Sequence, residues 1–343
     1  MKKIIYFTEW EMKESDGISK KIDSQIKSMR QSYDVTFYGI NLEKVIINDR
    51  FYKSKSKPLS YFDLLHYMKK SRFDVMYVRN LGGTSALYFL LISFFIKRTK
   101  VVIEIPTYPF DGEGNKGIKS YIMKLIRYFY RFTVDKIVYI GEKTDTIWGI
   151  PSVQIDNGID VSHYRLHSPV PYTGAIHCIG VASIANWHGY DRMIDAINKS
   201  ELSCIFHIVG DGPELKKLRA MVRDNKRSQV IFHGFKDGEE LDDIFDLCHF
   251  AIDSLARHRA GISHNSSLKS KEYTARGIPF IKSHIDDSFE SSDFVFNVLP
   301  DESVIDLNDI VDWYLGLNCN RFGISLFAKN NLTWDKQIEK IGF

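Results

Sequence analysis

The richest run of chemistry-bearing residues is Ser263-His-Asn-Ser-Ser-Leu-Lys-Ser-Lys-Glu-Tyr-Thr-Ala-Arg-Gly-Ile-Pro-Phe280. Ser266 or Ser267 can cap a helix whose first-turn N–H groups would seat a diphosphate, because those amides lack intrahelical partners and the dipole favours negative charge. Lys269 and Lys271 add positive charge there. Glu272 follows within about one turn and could accept hydrogen bonds from ribose hydroxyls. It could equally be a solvated helix glutamate paired with a nearby Lys or Arg. Gly277 ends the helix and Pro279 stops it from continuing.

Other loops offer related chemistry. Ile208-Val-Gly-Asp-Gly-Pro-Glu214 reads as a strand, a glycine turn over Gly210, Asp211 and Gly212, and a helix with Pro213 in its first turn. The glycines could cradle a nucleotide or simply make the turn. His233-Gly-Phe235 ends a strand with a tight turn. Val181-Ala-Ser-Ile-Ala-Asn-Trp-His-Gly-Tyr-Asp-Arg192 is a strand, a polar loop and a helix start, where His188, Arg192 and the loop amides could contact phosphate. Arg192 could also lie along an ordinary helix with its charge in water.

The first half of the chain is sparser. Asp16-Gly-Ile-Ser19 follows the first strand and precedes a helix; Gly17 would let a substrate approach the backbone, and Ser19 could cap the helix or bind a hydroxyl. Glu104-Ile-Pro-Thr-Tyr-Pro109 ends a strand in a rigid turn, where Glu104, Asp111 or Glu113 could orient a hydroxyl, with Thr107 and Tyr108 beside it. In the amphipathic segment Ile118 to Phe132, an apolar stripe runs through Ile118, Ile122, Leu125, Phe129 and Phe132. Lys116, Lys119, Lys124, Arg127 and Arg131 project elsewhere. The simpler expectation puts the stripe on a sheet and the charges in water. Residues 116–136 could also meet an anionic membrane surface, and the two are compatible if the basic face touches headgroups.

The elements that must position these residues are short β-branched or aromatic runs alternating with helical patterns. Strands are expected at Ile4–Thr8, Val35–Gly39, Val75–Val78, Val101–Ile105 and Lys136–Ile140, then at Ile176–Val181, Cys204–Val209, Val230–His233, Phe250–Asp253, Pro279–Lys282 and Phe294–Val298. They are nearly continuous in apolar character, as strands buried on both faces are. Helices are expected at Ile18–Arg30, Tyr190–Asn198, Glu214–Asp224 and Glu239–Leu247, among others. Alternation of this kind implies right-handed βαβ units and doubly wound parallel sheets, whose ligands lie at the carboxyl ends of the strands. The pattern runs twice. A polar break at His163 to Tyr172 containing Pro169 and Pro171 suggests two Rossmann-like domains, 1–163 and 172–325, facing a cleft. Residues 326–343 read as a terminal helix in which Trp334 is a packing anchor.

At 343 residues the chain suits two domains, and its formal net charge of +3 argues against wholesale nucleic-acid binding. Cys178, Cys204, Cys248 and Cys319 form no C-x-x-C pair, which makes a zinc site an unattractive reading and points to reduced thiols of a cytoplasmic protein. No Asp-x-Asp run occurs, so no metal is implied. Met1-Lys-Lys3 leads straight into a strand rather than a secretory signal. The most apolar run, Ala86 to Ile96, is about half of what a spanning helix needs, so a soluble or peripheral protein is expected. The first strand–helix turn lacks G-x-G-x-x-G, which disfavours an NAD-dependent enzyme.

In combination these segments resemble the family-4 retaining glycosyltransferases of GT-B fold. The Gly-Asp-Gly-Pro turn, His-Gly-Phe, Lys269-x-x-Glu272-Tyr-x-Ala-x-Gly277-x-Pro279 and the linking run Asp156-Asn-Gly-Ile-Asp160 all resemble that family's signatures, over roughly Asp135 to Lys282. Trp187 to Arg192 and Glu104 to Pro109 resemble a branch found in capsule and exopolysaccharide synthesis. The resemblance implies a nucleoside-diphosphate-sugar donor and a saccharide or lipid-linked oligosaccharide acceptor. In it Glu272 holds the ribose, the amides of Ser266, Ser267 and Leu268 meet the diphosphate, and Gly210 to Gly212 line the nucleotide pocket. Arg259 and Lys269 steady the leaving phosphate, the Gly17 loop faces the acceptor, and the terminal helix returns to the first domain. Two departures stand out. The first of the family's two glutamates, separated by seven residues, is His264 here, and His188 stands close to where the donor-side lysine is expected. An inactive accessory subunit and a sugar-nucleotide epimerase are the alternatives.

Overall fold

The computed structural model describes residues 1–13, 17–41, 43–109, 118–168, 170–223 and 227–343. The chain divides into unit 1, Met1–Gly158 with Trp334–Phe343, and unit 2, Ile159–Thr333. Unit 1 holds the strands β1 (Lys3–Thr8), β2 (Asp34–Ile40), β3 (Lys44–Ile47), β4 (Arg50–Lys53), β5 (Val75–Arg79), β6 (Lys100–Tyr108), β7 (Lys136–Gly141), β8 (Thr146–Ile147) and β9 (Ile150–Gln154). They form one sheet in the order β4-β3-β2-β1-β5-β6-β7-β9-β8. The pairs from β2 through β9 by way of β1 are parallel, while β3 with β4 at one edge and β8 at the other pair antiparallel.

One face of this sheet is covered by α2 (Lys57–Ser71), α3 (Gly83–Ser93) and α4 (Ile118–Tyr130) through side chains such as Leu64, Phe89 and Tyr130. The other face carries α1 (Gly17–Ser32) and the last helix of the chain, which contributes Trp334, Ile338 and Ile341. Residues 326–343 are therefore not one helix. They lie in α10 (Arg321–Asn331) and α11 (Trp334–Ile341), and the break lets the chain leave unit 2 and return to unit 1. Ser28 Oγ donates to Asp335 at 2.5 Å, and Lys136 Nζ donates to the carbonyl of Ile341 at 2.7 Å.

Unit 2 is a fully parallel sheet of β10 (Ala175–Val181), β11 (Ser203–Val209), β12 (Gln229–Gly234), β13 (Phe250–Ile252), β14 (Phe280–Lys282) and β15 (Val295–Asn297), in the order β12-β11-β10-β13-β14-β15. Helices α5 (Tyr190–Lys199), α6 (Leu215–Met221) and α9 (Leu307–Leu315) cover one face; α7 (Gly238–Asp246), α8 (Leu268–Arg276) and α10 cover the other. The two units together have the two parallel-sheet, Rossmann-like architecture of the GT-B fold.

Two expectations need correction. The passage between units falls at Gly158, not at 163–172, because the latter stretch is tied to unit 2. His167 donates its backbone N–H to the Arg276 carbonyl at 2.7 Å, and Arg165 reaches Asp246 at 2.6 Å. The second correction concerns α4. Its core-facing residues are Ile126 and Tyr130, with Met123 partly buried, whereas Ile122, Leu125, Phe129 and Phe132 are exposed. Tyr130 takes the inward place because its ring packs edge-on against Phe89, its hydroxyl reaches the Ala86 carbonyl at 3.2 Å, and Arg127 lies over the Trp148 ring. A count of apolar residues alone does not see that hydrogen bond.

Candidate active site

Five loops meet at the carboxyl edge of the unit 2 sheet, and backbone hydrogen bonds knit them together. The loop after β10 is joined to that after β11 by Ile184 N–H to the Asp211 carbonyl at 2.7 Å, and Gly210 N–H reaches the Gly234 carbonyl after β12 at 2.7 Å. Leu255 N–H after β13 reaches the His188 carbonyl at 2.9 Å, and Ser283 N–H after β14 reaches the Ser254 carbonyl at 3.0 Å. Gly210 and Gly212 are required by this close stitching. A Cβ at Gly210 would lie 1.9 Å from the Ala182 oxygen, and one at Gly212 would lie 2.2 Å from the Ile184 oxygen. Both glycines thus shape the loop pair, while Asp211 is exposed and accepts the Gly212 N–H at 2.7 Å.

A buried ionic cluster sits beneath these loops. Asp253 follows β13 and is fully buried; Lys269 Nζ lies 2.9 Å from one of its oxygens, and the Ser270 hydroxyl donates to the other at 2.5 Å. Burial alone would raise the Asp253 carboxyl, but the Lys269 charge and the Ser270 hydrogen bond overcome it and hold the group far below the usual carboxylate range. Lys269, in the first turn of α8, also donates to Ser254 Oγ at 3.2 Å, and burial lowers its pKa against the pull of Asp253. His188 accepts the Ala185 N–H on Nδ1 at 3.0 Å; burial and the neighbouring Lys269 push its pKa down to about 3. His284 is nearly sealed, 3.8 Å from Asp253, and burial pushes it to about 3. Both imidazoles are neutral at pH 7, so the positive charge here belongs to Lys269 and to Arg257, whose field reaches His188, Lys269 and His284.

Helix α8 presents its start to the same place. Ser267 holds the cap position in extended backbone, and its side chain makes no capping hydrogen bond, so the first turn opens without that internal acceptor. Ser266 and Ser267 are buried, and Leu268 is half-exposed. One turn on, Glu272 keeps a quarter of its side chain exposed and accepts from Arg276 Nε at 3.0 Å, so the glutamate–arginine pairing does form. His264 sits ahead of the helix, its Nδ1 3.2 Å from the Ser263 hydroxyl.

Three expected phosphate contacts are redirected. The guanidinium of Arg192 is buried and donates to the backbone carbonyls of Leu255, Leu299 and Ser303, so it braces loops rather than facing a ligand. Arg259 makes a two-pronged pair with Glu302, at 2.8 and 2.6 Å, and reaches Asp191 at 2.9 Å. Arg257, two residues earlier, is the arginine whose charge acts on the cluster. Lys271 is buried against Asp286 at 3.0 Å and does not join Lys269.

In unit 1, Gly17 opens α1, and Ser19 accepts the Lys13 N–H at 2.9 Å; Asp16, Asp111, Glu113 and Lys116 lie outside the described residues. Glu104 is not presented as a surface acceptor group. It is fully buried, 2.9 Å from Lys21 Nζ, and accepts from Tyr77 at 2.8 Å and Gln25 at 3.0 Å. Burial would raise its pKa, but Lys21 and Arg79 bring it down to about 2. Thr107 and Tyr108 are half-buried at the end of β6.

Sequence reasoning missed Asp253 as the anchor of Lys269, and it missed Ser254, Arg257 and His284. An aspartate closing the apolar run at 250–253 was the available signal. It also missed a polar cavity of about 420 Å³ beyond β1 and β2, lined by Glu9, Glu11, Asn41, Glu43, Lys55 and Lys57. Among the described residues, no group of three or more His, Cys, Asp or Glu side chains is arranged to hold a metal ion.

Residues 174–300, which carry the whole cluster, match the family model for glycosyl transferases group 1. The chain carries a glycosyltransferase domain. Solved structures agree on the fold over nearly the full length. A glycosyltransferase from Rickettsia africae aligns with TM-score 0.68 at 12% identity, covering 99% of this chain and 96% of that one. The Anabaena protein HepE, solved with UDP and glucose, aligns with TM-score 0.64 at 13% identity and 99% coverage of both chains. The lipopolysaccharide outer core galactosyltransferase WaaB aligns with TM-score 0.62 at 14% identity, again over 99% of both. No curated protein sequence matched the chain.

Proposed function

We propose that this glycosyltransferase moves a sugar, with retention of configuration, from a nucleoside-diphosphate-sugar to a saccharide acceptor in surface-polysaccharide synthesis. The observation that carries this reading is the start of α8, where Lys269 is fixed by Asp253 beside neutral His188, with Glu272 one turn away. The helix amides and Lys269, with Arg257, offer fixed positive potential to a diphosphate as the sugar–phosphate bond breaks and negative charge grows on the leaving oxygen. The bond from the anomeric carbon to the acceptor oxygen forms on the same face, and the acceptor proton passes to the departing phosphate. No protein nucleophile and no metal is required. The free edge of Glu272 receives the ribose hydroxyls, and exposed Phe235, beside the glycine loop, offers a face on which a base can stack.

In unit 1 the cavity supplies carboxylate and ammonium groups suited to a polyhydroxylated acceptor. A lipid-linked glycan on the inner face of the cell membrane fits this reading; no described helix is long and apolar enough to cross a membrane. UDP is the first nucleotide to try, because HepE was crystallised with it.

A thermal-shift titration of the full chain with UDP, GDP, ADP, CMP and NAD tests the donor site, since a ligand of the native state raises Tm with concentration. One nucleoside diphosphate should shift Tm, and Glu272→Ala should abolish the shift while the protein stays folded. Product anomeric configuration, read by NMR, tests retention. His264 favours one other reading, a subunit that binds nucleotide without turning it over. Binding with no sugar transfer to any glycan acceptor, and no gain from His264→Glu, would favour that reading.

A further inference from the structure

The turned-out face of α4 continues onto α3. Both helices cover the same side of the unit 1 sheet and lie next to each other. On α4 and its end, Ile122, Leu125, Phe129 and Phe132 are exposed; on α3 and its end, Leu87, Leu91, Phe94 and Phe95 are exposed. Single exposed apolar side chains are ordinary, but eight large ones on two adjacent helices make a surface that is covered in use. Their spacing, in steps of three and four, draws one outward stripe on each helix, while Phe89, Leu90, Ile126 and Tyr130 fill the core behind them.

The charge around the stripes selects what covers them. From residue 83 to 103 and from 118 to 134 the sequence holds seven Lys or Arg residues and neither Asp nor Glu. Lys97, Arg98, Lys124 and Arg131 are exposed at the borders, Arg131 stacks on the Tyr128 ring, and Lys69 from the end of α2 lies over Phe95. A protein partner's interface is depleted in lysine. Phenyl and aliphatic side chains flanked by tyrosines and an all-basic rim suit the boundary between anionic headgroups and acyl chains.

We infer that the α3–α4 face is a docking surface for an anionic lipid bilayer, with Phe94, Phe95, Phe129 and Phe132 entering the acyl boundary. The inference rests on unit 1 alone and stands whether or not the sugar-transfer reading holds.

Co-sedimentation of the full chain with vesicles tests it, using phosphatidylcholine alone and an equal mixture with phosphatidylglycerol. Binding is expected to the mixed vesicles only and should weaken as salt rises. Lys97→Glu with Lys124→Glu should lower partitioning about tenfold or more, and Leu125→Ser with Phe132→Ser should remove it. These positions are exposed, so circular dichroism and the nucleotide-induced Tm shift should be unchanged in both variants. Equal binding to neutral vesicles, or no effect of either variant, would overturn the inference. So would a lipid-free dimer that Leu125→Ser with Phe132→Ser dissociates, because a second copy would then be the natural cover.

Discussion

Both units place a buried carboxylate under the carboxyl half of a parallel sheet and hold it with a lysine from the early turns of a helix. In unit 1 Glu104 meets Lys21 of α1, and in unit 2 Asp253 meets Lys269 of α8, each at 2.9 Å. The surroundings differ. Lys21 has only 4% of its side chain exposed and lies beneath the Trp334 ring, with Gln25, Tyr77 and Tyr6 completing a closed network. Lys269 keeps 19% exposed, and its carboxylate partner also touches a serine and faces two histidines held neutral. The same ion pair is therefore scaffold where the last helix of the chain roofs it, and a candidate site where the start of α8 opens beside it. Charge identity does not separate the two roles; access does.

The largest effect expected from this contrast is on stability in unit 1. Glu104→Ala leaves Lys21 buried without its counter-charge, a change that costs about 3–5 kcal/mol in such settings. Thermal and urea unfolding should show the loss, while the nucleotide-induced Tm shift of the surviving folded protein is preserved. An unaltered Tm with lost transfer to acceptor would break the contrast and return Glu104 to the acceptor site.

Lys269→Ala comes next and should act on turnover. Removing a preorganised cationic or oxyanion-stabilising group typically lowers kcat about 10²–10³-fold, or about 2.7–4 kcal/mol. Because Asp253 is left unpaired, some stability is lost as well. Lys269→Ala combined with Asp253→Asn separates the two effects, since stability should recover and turnover should not. Glu272→Ala is smaller still. Hydrogen bonds to a charged group contribute about 1.5–3 kcal/mol, so donor affinity should weaken about tenfold to a hundredfold. Equal losses of affinity for a nucleoside diphosphate and for inorganic diphosphate would argue against a ribose contact.

Much of the fold was legible because parallel strands buried on both faces read as continuous apolar runs, and all eleven expected strands are present, with their ends within three residues. The hairpin β3–β4 was not, since Lys44–Ile47 and Arg50–Lys53 are short and edge-placed, and the latter is exposed at every residue. The donor motifs were legible as strand–turn–helix junctions, but their partners were not. That the charge of Arg257 acts on the cluster while Arg259 pairs with Glu302 and Asp191, or that Arg192 braces carbonyls, depends on placements across loops that the chain order does not reveal. The stripe on α4 was legible as a stripe but was expected on the sheet, a side that Ile126 and Tyr130 take instead.

Acid should sharpen the comparison further, with the smallest effect per residue. Of the eleven histidines only His66 belongs to unit 1. Unit 2 carries a row of them across its sheet: His233 to His207 at 3.0 Å, His207 to His177 at 3.2 Å, and the His177 N–H to His249 at 2.9 Å. Burial, then mutual repulsion, lowers His207 to about 4 and His249 to about 4. A histidine kept neutral by the fold binds its proton more readily once unfolded. Its contribution is therefore intact above the unfolded pKa of about 6.5 and is lost as pH falls from there to about 4. Glu104 titrates lower. Its folded pKa of about 2 lies beneath the ordinary 4.5, so its stabilisation holds until pH drops below 4.5 and fades toward 2. Unit 2 should thus loosen before unit 1 as acid is added, seen as a Tm lower at pH 5 than at pH 7 by about 2–4 °C or more for each such histidine, since each one loses about 1 kcal/mol or more over that interval. His207→Asn should lessen that slope above pH 4.5, with His249, His188 and His284 supplying the rest, and leave the lower one in place. A slope unchanged by His207→Asn would mean that His207 titrates as it does in water and that the row adds nothing through it to the difference between the two units in acid.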